Sequence, residues 1–390
     1  MSISVRVPVA PALLRWAASR SGREPGDIEN HFSRWDRWVS GAEKPTLRQL
    51  ENVARYTHVP FGVFFLNEPP AVELPIPDFR RTGDRDERTP SQDLLAVIQA
   101  SQRRQDWFRD YALALGLDPS PAVGAARGLD VPAAAALATE LLRFGVTERP
   151  RRREEVRHHL RHVFEELGGL AVFSSMVGND THRLLDRDEF RGFTLADPLA
   201  PLVFINARDT LSGQTFTFLH EFAHVLRAES GVSDEDPART APGGAERWCN
   251  AVAAEVLVPR ADLARQVEAH PLDGSEALDV SLDRLAGRYQ ASTLVVLLRL
   301  HEMGAVRSEG FAEVFDAERA RAERLASARQ DTSGGGDFYN NQPFRVGERL
   351  ARAVISDTYE GRTSYTDALA LLGFSSVSQI DTFATRLGMR

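Results

Sequence analysis

The sequence predicts an α+β protein that is mostly helical, with an N-terminal helical bundle, a small sheet in a central domain and a helical C-terminal tail. Three observations lead there. Apolar residues recur at helical spacing over long stretches, as at Leu94, Leu95, Ile98, Trp107, Tyr111 and Leu115. Three short runs rich in β-branched and aromatic residues, Gly169–Ser174, Phe190–Leu195 and Leu202–Asn206, read as strands. Behind the last of them stands His220-Glu221-Phe222-Ala223-His224, on a segment whose apolar positions Phe216, Leu219, Phe222, Ala223 and Leu226 have the helical period.

A chain of 390 residues is too long for one ordinary domain. Four segments are expected: 1–68, a helical bundle; 69–168, a proline-rich connector and helical region; 169–305, the domain holding the sheet and the histidine motif; and 306–390, a charged helix, a glycine-rich break and a helical tail. The hydrophobic fraction of 43% and charged fraction of 26% are those of a soluble globular protein. A net charge of −8 argues against non-specific nucleic-acid binding by the whole molecule but leaves room for a local basic surface. The single cysteine, Cys249, excludes intrachain disulfides and suits a reducing compartment. With no basic-then-apolar N-terminal segment and no apolar run near about 18 residues, the expected location is cytoplasmic, without membrane contact.

In the first 68 residues four helices are expected, Pro11–Ser21, Asp27–Phe32, Ser33–Ser40 and Thr46–His58. Trp38-x-x-Gly41-x-x-Lys44-Pro45-Thr46-Leu47, followed by Leu50-Glu51-x-Val53-Ala54, resembles the end of the recognition helix and the next helix of Cro/C1-type (XRE-like) helix-turn-helix domains. Two features depart from it. Pro25–Asn30 replaces the usual first turn, and Trp35 and Trp38 crowd the helix that would read bases. DNA binding and a bundle kept for dimerisation or partner docking both remain open. Glu68-Pro-Pro70 and Leu74–Phe79 are extended by their prolines, and Arg80–Arg88 is an alternating-charge loop. Helices are then expected at Ser91–Gly116, Val131–Phe144 and Arg151–Leu167. The last carries His158, His159 and His162, but Arg152, Arg153, Arg157 and Arg161 beside them would repel a cation, so a solvated face is expected.

The pentapeptide carries the chemistry. Residues four apart lie on one helix face, so His220 and His224 can bind one metal ion, and Glu221 can take a proton from water attacking a carbonyl. Asp209-Thr210 can cap this helix. A catalytic zinc site wants three protein ligands and an open position. A second helix supplies two candidates for the third: Glu246, 22 residues after His224, and Glu255, about two and a half turns further on. Glu246 is preferred, with Asn250 one turn later able to orient a ligand histidine.

The strand ending Ile-Asn, then Phe-Thr-Phe-Leu-His-Glu-Phe-Ala-His, then Glu-x-x-x-Asn-x-x-Ala-x-Glu-x-Leu-x-Pro resembles the ImmA/IrrE metallopeptidases over roughly residues 185–305. These are gluzincin-like bacterial proteins, some of which cut a repressor. The resemblance implies a central gluzincin-like zinc peptidase domain with Zn2+ on His220, His224 and Glu246, and Glu221 as general base. Cys249 departs from the family, which more often has a small apolar residue there. It is either an incidental metal contact or, preferably, a buried packing residue. In such enzymes a sheet edge borders the cleft, and Arg191–Leu195 is the expected edge for pairing with substrate backbone.

The expected function is that of a cytoplasmic zinc endopeptidase with a regulatory role, acting on a repressor or on a partner of the antitoxin or toxin type, with DNA as a further partner through the N-terminal domain. The alternative is a transcriptional regulator or antitoxin component whose peptidase-like domain binds or senses a partner without cleavage. Leu282–Leu300 repeats a helix-turn-helix-like pattern, but Val295, Val296, Leu297 and Leu298 suit packing. Ala317–Gln330 is a charged helix, and the tail after the Asp331–Asp337 break leaves partner binding or a homodimer open.

Overall fold

Prolines and capping side chains set the helix starts of the N-terminal bundle. α1 (Pro11–Arg20) and α2 (Pro25–His31) each begin on proline, whose missing N–H is no loss in a first turn. α3 (Trp35–Val39) is followed by Gly41 at φ +76°, a left-handed exit that any side chain would strain. α4 (Leu47–Thr57) opens on a capping box: Thr46 Oγ1 accepts from the Gln49 N–H at 3.2 Å, and Gln49 Oε1 accepts from the Thr46 N–H at 2.8 Å. Leu13, Leu14, Ile28, Leu50, Val53 and Phe64 form the core together with Trp35 and Trp38, only 7% and 3% exposed. The two indoles are thus packing residues and leave the outer face of α3 to Arg37.

The computed structural model describes residues 5–78, 90–233, 244–272, 277–306, 309–330 and 338–389; the predicted Arg80–Arg88 loop and Asp331–Asp337 break lie outside them. The chain divides into two compact units, one of residues up to Pro75 with Arg85–Gln99, the other of Ile76–Asp84 with Ala100–Arg390. α5 (Gln92–Leu115) contributes to both. Among the described residues no helix is long and apolar enough to cross a membrane.

The second unit is mostly helical around one small sheet. α6 (Val131–Leu141) and α7 (Arg153–Glu166) lead to β1 (Leu170–Ser174), β2 (Gly192–Leu195) and β3 (Leu202–Asn206). Next come α8 (Leu211–Arg227), β4 (Gly231–Ser233), α9 (Gly244–Leu257), α10 (Arg260–Ala269), α11 (Leu278–Tyr289), α12 (Thr293–Glu302) and α13 (Phe311–Gln330). The tail holds α14 (Phe338–Val346), which packs on β1, then α15 (Glu348–Tyr359), α16 (Tyr365–Leu372) and α17 (Val377–Arg386). In the pair α11–α12, Val295, Val296 and Leu297 are buried, as their packing role requires.

The strand order is β1-β3-β2-β4, with β1 parallel to β3 and the other two pairings antiparallel. Side chains alternate across the sheet. Phe193 of β2 stacks on its partner Phe204 of β3 at 4.8 Å on one face, and Gly192 and Thr194 meet α8 on the other. This order corrects one expectation. The Arg191–Leu195 segment is not a sheet edge, because β3 and β4 flank β2 on both sides. β4 is the outer strand, and its Val232 N–H donates to the Pro77 carbonyl at 3.0 Å.

Two devices fix α8 and α9. The loop after α5 caps the C-terminal end of α8: the Gly124 and Ala126 N–H groups donate to the carbonyls of Val225 (3.0 Å) and Leu226 (2.9 Å), and Arg127 reaches the Arg227 carbonyl at 3.2 Å. Arg149, 6% exposed, gives its guanidinium to four carbonyls. These are Val256 and Leu257 at the end of α9 (3.0 and 2.7 Å), Tyr289 at the end of α11 (2.8 Å), and Phe144 (3.0 Å). Burial pulls its pKa down to about 10, so it stays charged and meets the negative ends of two helix dipoles. Arg149→Met should therefore lower unfolding free energy by about 3 kcal/mol in urea titrations, since four buried carbonyls lose their donor.

Candidate metal centre

Thr210 caps α8, its Oγ1 accepting from the Gly213 N–H at 3.1 Å, and this sets the phase of the helix. His220 and His224 follow on one face, with their Nε2 atoms 3.2 Å apart. Glu246, in the first turn of α9, closes the triangle: Oε2 lies 3.1 Å from His220 Nε2 and Oε1 3.1 Å from His224 Nε2. All three residues are buried, at 1%, 0% and 2% exposure, and their ligand-type atoms lie within 4.8 Å of one another. Both Glu246 oxygens are shut from water and face the two imidazole nitrogens. A buried anion so placed favours a cation between the three side chains.

Asn250 lies one turn beyond Glu246 on α9, with Oδ1 2.8 Å from His220 Nδ1. An amide oxygen only accepts, so His220 Nδ1 carries a proton, and Nε2 points into the cluster. The other third-ligand candidate, Glu255, lies elsewhere, accepting from the Arg260 N–H at 3.0 Å and pairing with Arg299. Cys249 is fully buried in the apolar core, and burial pushes its thiol well up, so it packs as a neutral group. The three histidines of α7 stay apart from this site. His159 Nε2 lies 2.9 Å from the Leu142 carbonyl, His158 stands edge-on to Phe344, and His162 pairs with Glu166.

Glu221 is fully buried. Thr194 Oγ1, from β2, donates to its Oε2 at 2.7 Å, and among the described residues Oε1 has no donor. A side chain at Gly192 would begin 2.9 Å from that free oxygen, 2.9 Å from the Phe204 carbonyl and 2.8 Å from Thr217 Cγ2, so only glycine lets the strand pass so close to α8. On β4, Ser233 Oγ sits 3.3 Å from His220 Nε2. The sequence reading missed Gly192, Thr194 and Ser233. Strand alternation could have placed Gly192 and Thr194 on one face, but not which helix that face meets.

Residues 164–301 match the family model of the IrrE N-terminal-like domain, a peptidase family. The match spans α8 and α9 and so includes every residue of the cluster. This segment is of the metallopeptidase type. The match supports placing it with the ImmA/IrrE proteins. Residues 346–386, which cover α15–α17, match a domain of unknown function (DUF8813). No curated protein matches the chain.

The peptidase-type domain buries two carboxyls that titrate in opposite directions. Burial pushes Glu221 up from 4.5. It pushes Glu246 up too, but the two imidazoles outweigh it and hold that carboxyl at about 2. A folded pKa below 4.5 means that the Glu246 carboxylate stabilises the folded state above pH 4.5 and that this contribution fades as pH falls towards 2. In EDTA-treated protein, Glu246→Gln should therefore cost on the order of 2–3 kcal/mol at pH 6, with the difference from wild type shrinking through pH 4 and 3 in urea titrations.

Proposed function

We propose that the chain is a cytoplasmic zinc-dependent endopeptidase with a regulatory role, which cuts a protein partner of the repressor or antitoxin type. The observation that carries this reading is the buried His220, His224 and Glu246 triangle beside Glu221. In a tetrahedral zinc site with bonds of about 2.0–2.1 Å, ligand atoms lie about 3.3 Å apart, close to the spacings of 3.1–3.2 Å in the triangle. Two imidazole nitrogens and one carboxylate are a catalytic donor set, whereas structural sites close on four protein ligands, often cysteines. Asn250 then holds the His220 ring in register.

When bound, zinc polarises the scissile carbonyl and lowers the pKa of water. Glu221 takes a proton from the attacking water and returns it to the leaving amine. A buried, low-dielectric site strengthens both acts by excluding competing water. A narrow regulatory role fits an N-terminal helical bundle with helix-turn-helix spacing on the same chain. With the indoles of α3 in the core, Arg34 and Arg37, both paired with Glu43, are half-exposed or more and are groups that a DNA contact by this face would use.

Purified wild type should hold near one zinc per chain, and Glu246→Ala should lose it or bind it 10–100-fold or more weakly by metal analysis and competition with a chelator. Absence of zinc from reconstituted wild type would remove the peptidase reading. Glu221→Gln should keep zinc yet abolish cleavage, which makes it a trap. A protein retained by this variant should be cut by wild type and left whole by the variant. A partner held by both and cut by neither would favour the regulator that binds without cleaving.

A further inference from the structure

We propose that Thr194 is a positioning residue for Glu221, assigning proton transfer to one oxygen of its carboxylate; this rests on the reading of Glu221 as the general base. Two independent contacts from β2 bear on that carboxylate. Thr194 Oγ1, wholly buried, donates to Oε2 at 2.7 Å, which fixes the plane of the group. The same hydroxyl lies 3.0 Å from the Glu221 carbonyl oxygen, the second acceptor for its one proton, with Oε2 the nearer. The bare Cα of Gly192 leaves room for Oε1, where a Cβ would sit 2.9 Å away. One oxygen is thus committed to a donor, while the other is buried and, among the described residues, unpaired.

In the step this serves, the attacking water forms its bond to the carbonyl carbon and gives a proton to Oε1. The same proton then passes to the amine nitrogen as the carbon–nitrogen bond breaks. A carboxylate free to rotate would present either oxygen at varied angles, and proton transfer depends on that geometry. The hydroxyl on β2 removes this freedom by holding Oε2.

The test needs no natural substrate. Benzohydroxamate chelates an open zinc site, and its binding as the anion delivers the hydroxyl proton to a neighbouring base. Its affinity for the full-length, zinc-loaded chain therefore reports on Glu221, and calorimetry measures it. Thr194→Val, which keeps the shape and loses the donor, should weaken binding roughly tenfold with zinc content unchanged. Thr194→Ser, which restores the donor, should bind within about twofold of wild type. Gly192→Ala should weaken binding at least as much where it folds, but the threonine pair is decisive.

Wild-type affinity in Thr194→Val would overturn the proposal. So would equal weakening by the valine and serine variants, which would mark a packing effect, or loss of zinc from Thr194→Val, which would place its action on the ligands. Glu221→Gln separates the role of the base from its positioning. If it weakens benzohydroxamate binding and Thr194→Val does not, the base stands and its positioning fails. If it leaves binding untouched, Glu221 is not the base, and both fail.

Discussion

Four ionisable side chains, His220, Glu221, His224 and Glu246, are buried where α8 packs against α9 and against β2 and β3 of the sheet, and the rest of the domain is arranged around the cost of putting them there. An isolated buried charge costs several kcal/mol, and a buried cluster persists only when most of its atoms have partners. Here Asn250 serves His220 and Thr194 serves one oxygen of Glu221, while among the described residues the Glu246 oxygens face ring nitrogens and the second Glu221 oxygen has no donor. Groups left without partners in this pattern mark a site with a function rather than a packing fault.

Such a cluster works only if two helices and one strand hold a fixed spacing. Small buried side chains, Ala223 on α8 with Cys249 and Ala253 on α9, join the apolar cluster that includes Phe216, Leu219, Phe222, Val252 and Val256. Gly192 does the same on the strand side, letting β2 come within contact of Thr217 and Glu221. Close packing of this kind tolerates little change of volume, so the small residues matter as much to the site as the polar ones. Cys249 belongs among them as a neutral filler rather than as a ligand.

The far ends of the helices are held with equal economy. α8 ends at Ala228, which adopts a left-handed conformation, and its last carbonyls find donors in the loop carrying Gly124 and Ala126. α9 ends on Arg149, whose single charged group binds helices that are distant in sequence. Because Glu246 stands at one end of α9 and this guanidinium at the other, the ligand-bearing turn is registered by contacts nearly the full length of the helix away.

What the sequence determined by itself is whatever depends on local periodicity. The Thr210 cap, the run of strand residues before α8, and the common face of His220 and His224 follow from spacings of a few residues and were legible there. Spacing also favoured Glu246 over Glu255; Glu246 lies 3.1 Å from both histidines, while Glu255 pairs with Arg299. Tertiary structure alone decided the strand order, which placed Arg191–Leu195 inside the sheet and gave the edge to β4, a strand of three residues too short to show a period. It alone brought Thr194 and Gly192 to Glu221, 27 residues from the threonine, and Arg149 to carbonyls more than 100 residues away. Periodicity says which side chains share a face; only the packing of non-local elements says what that face will touch.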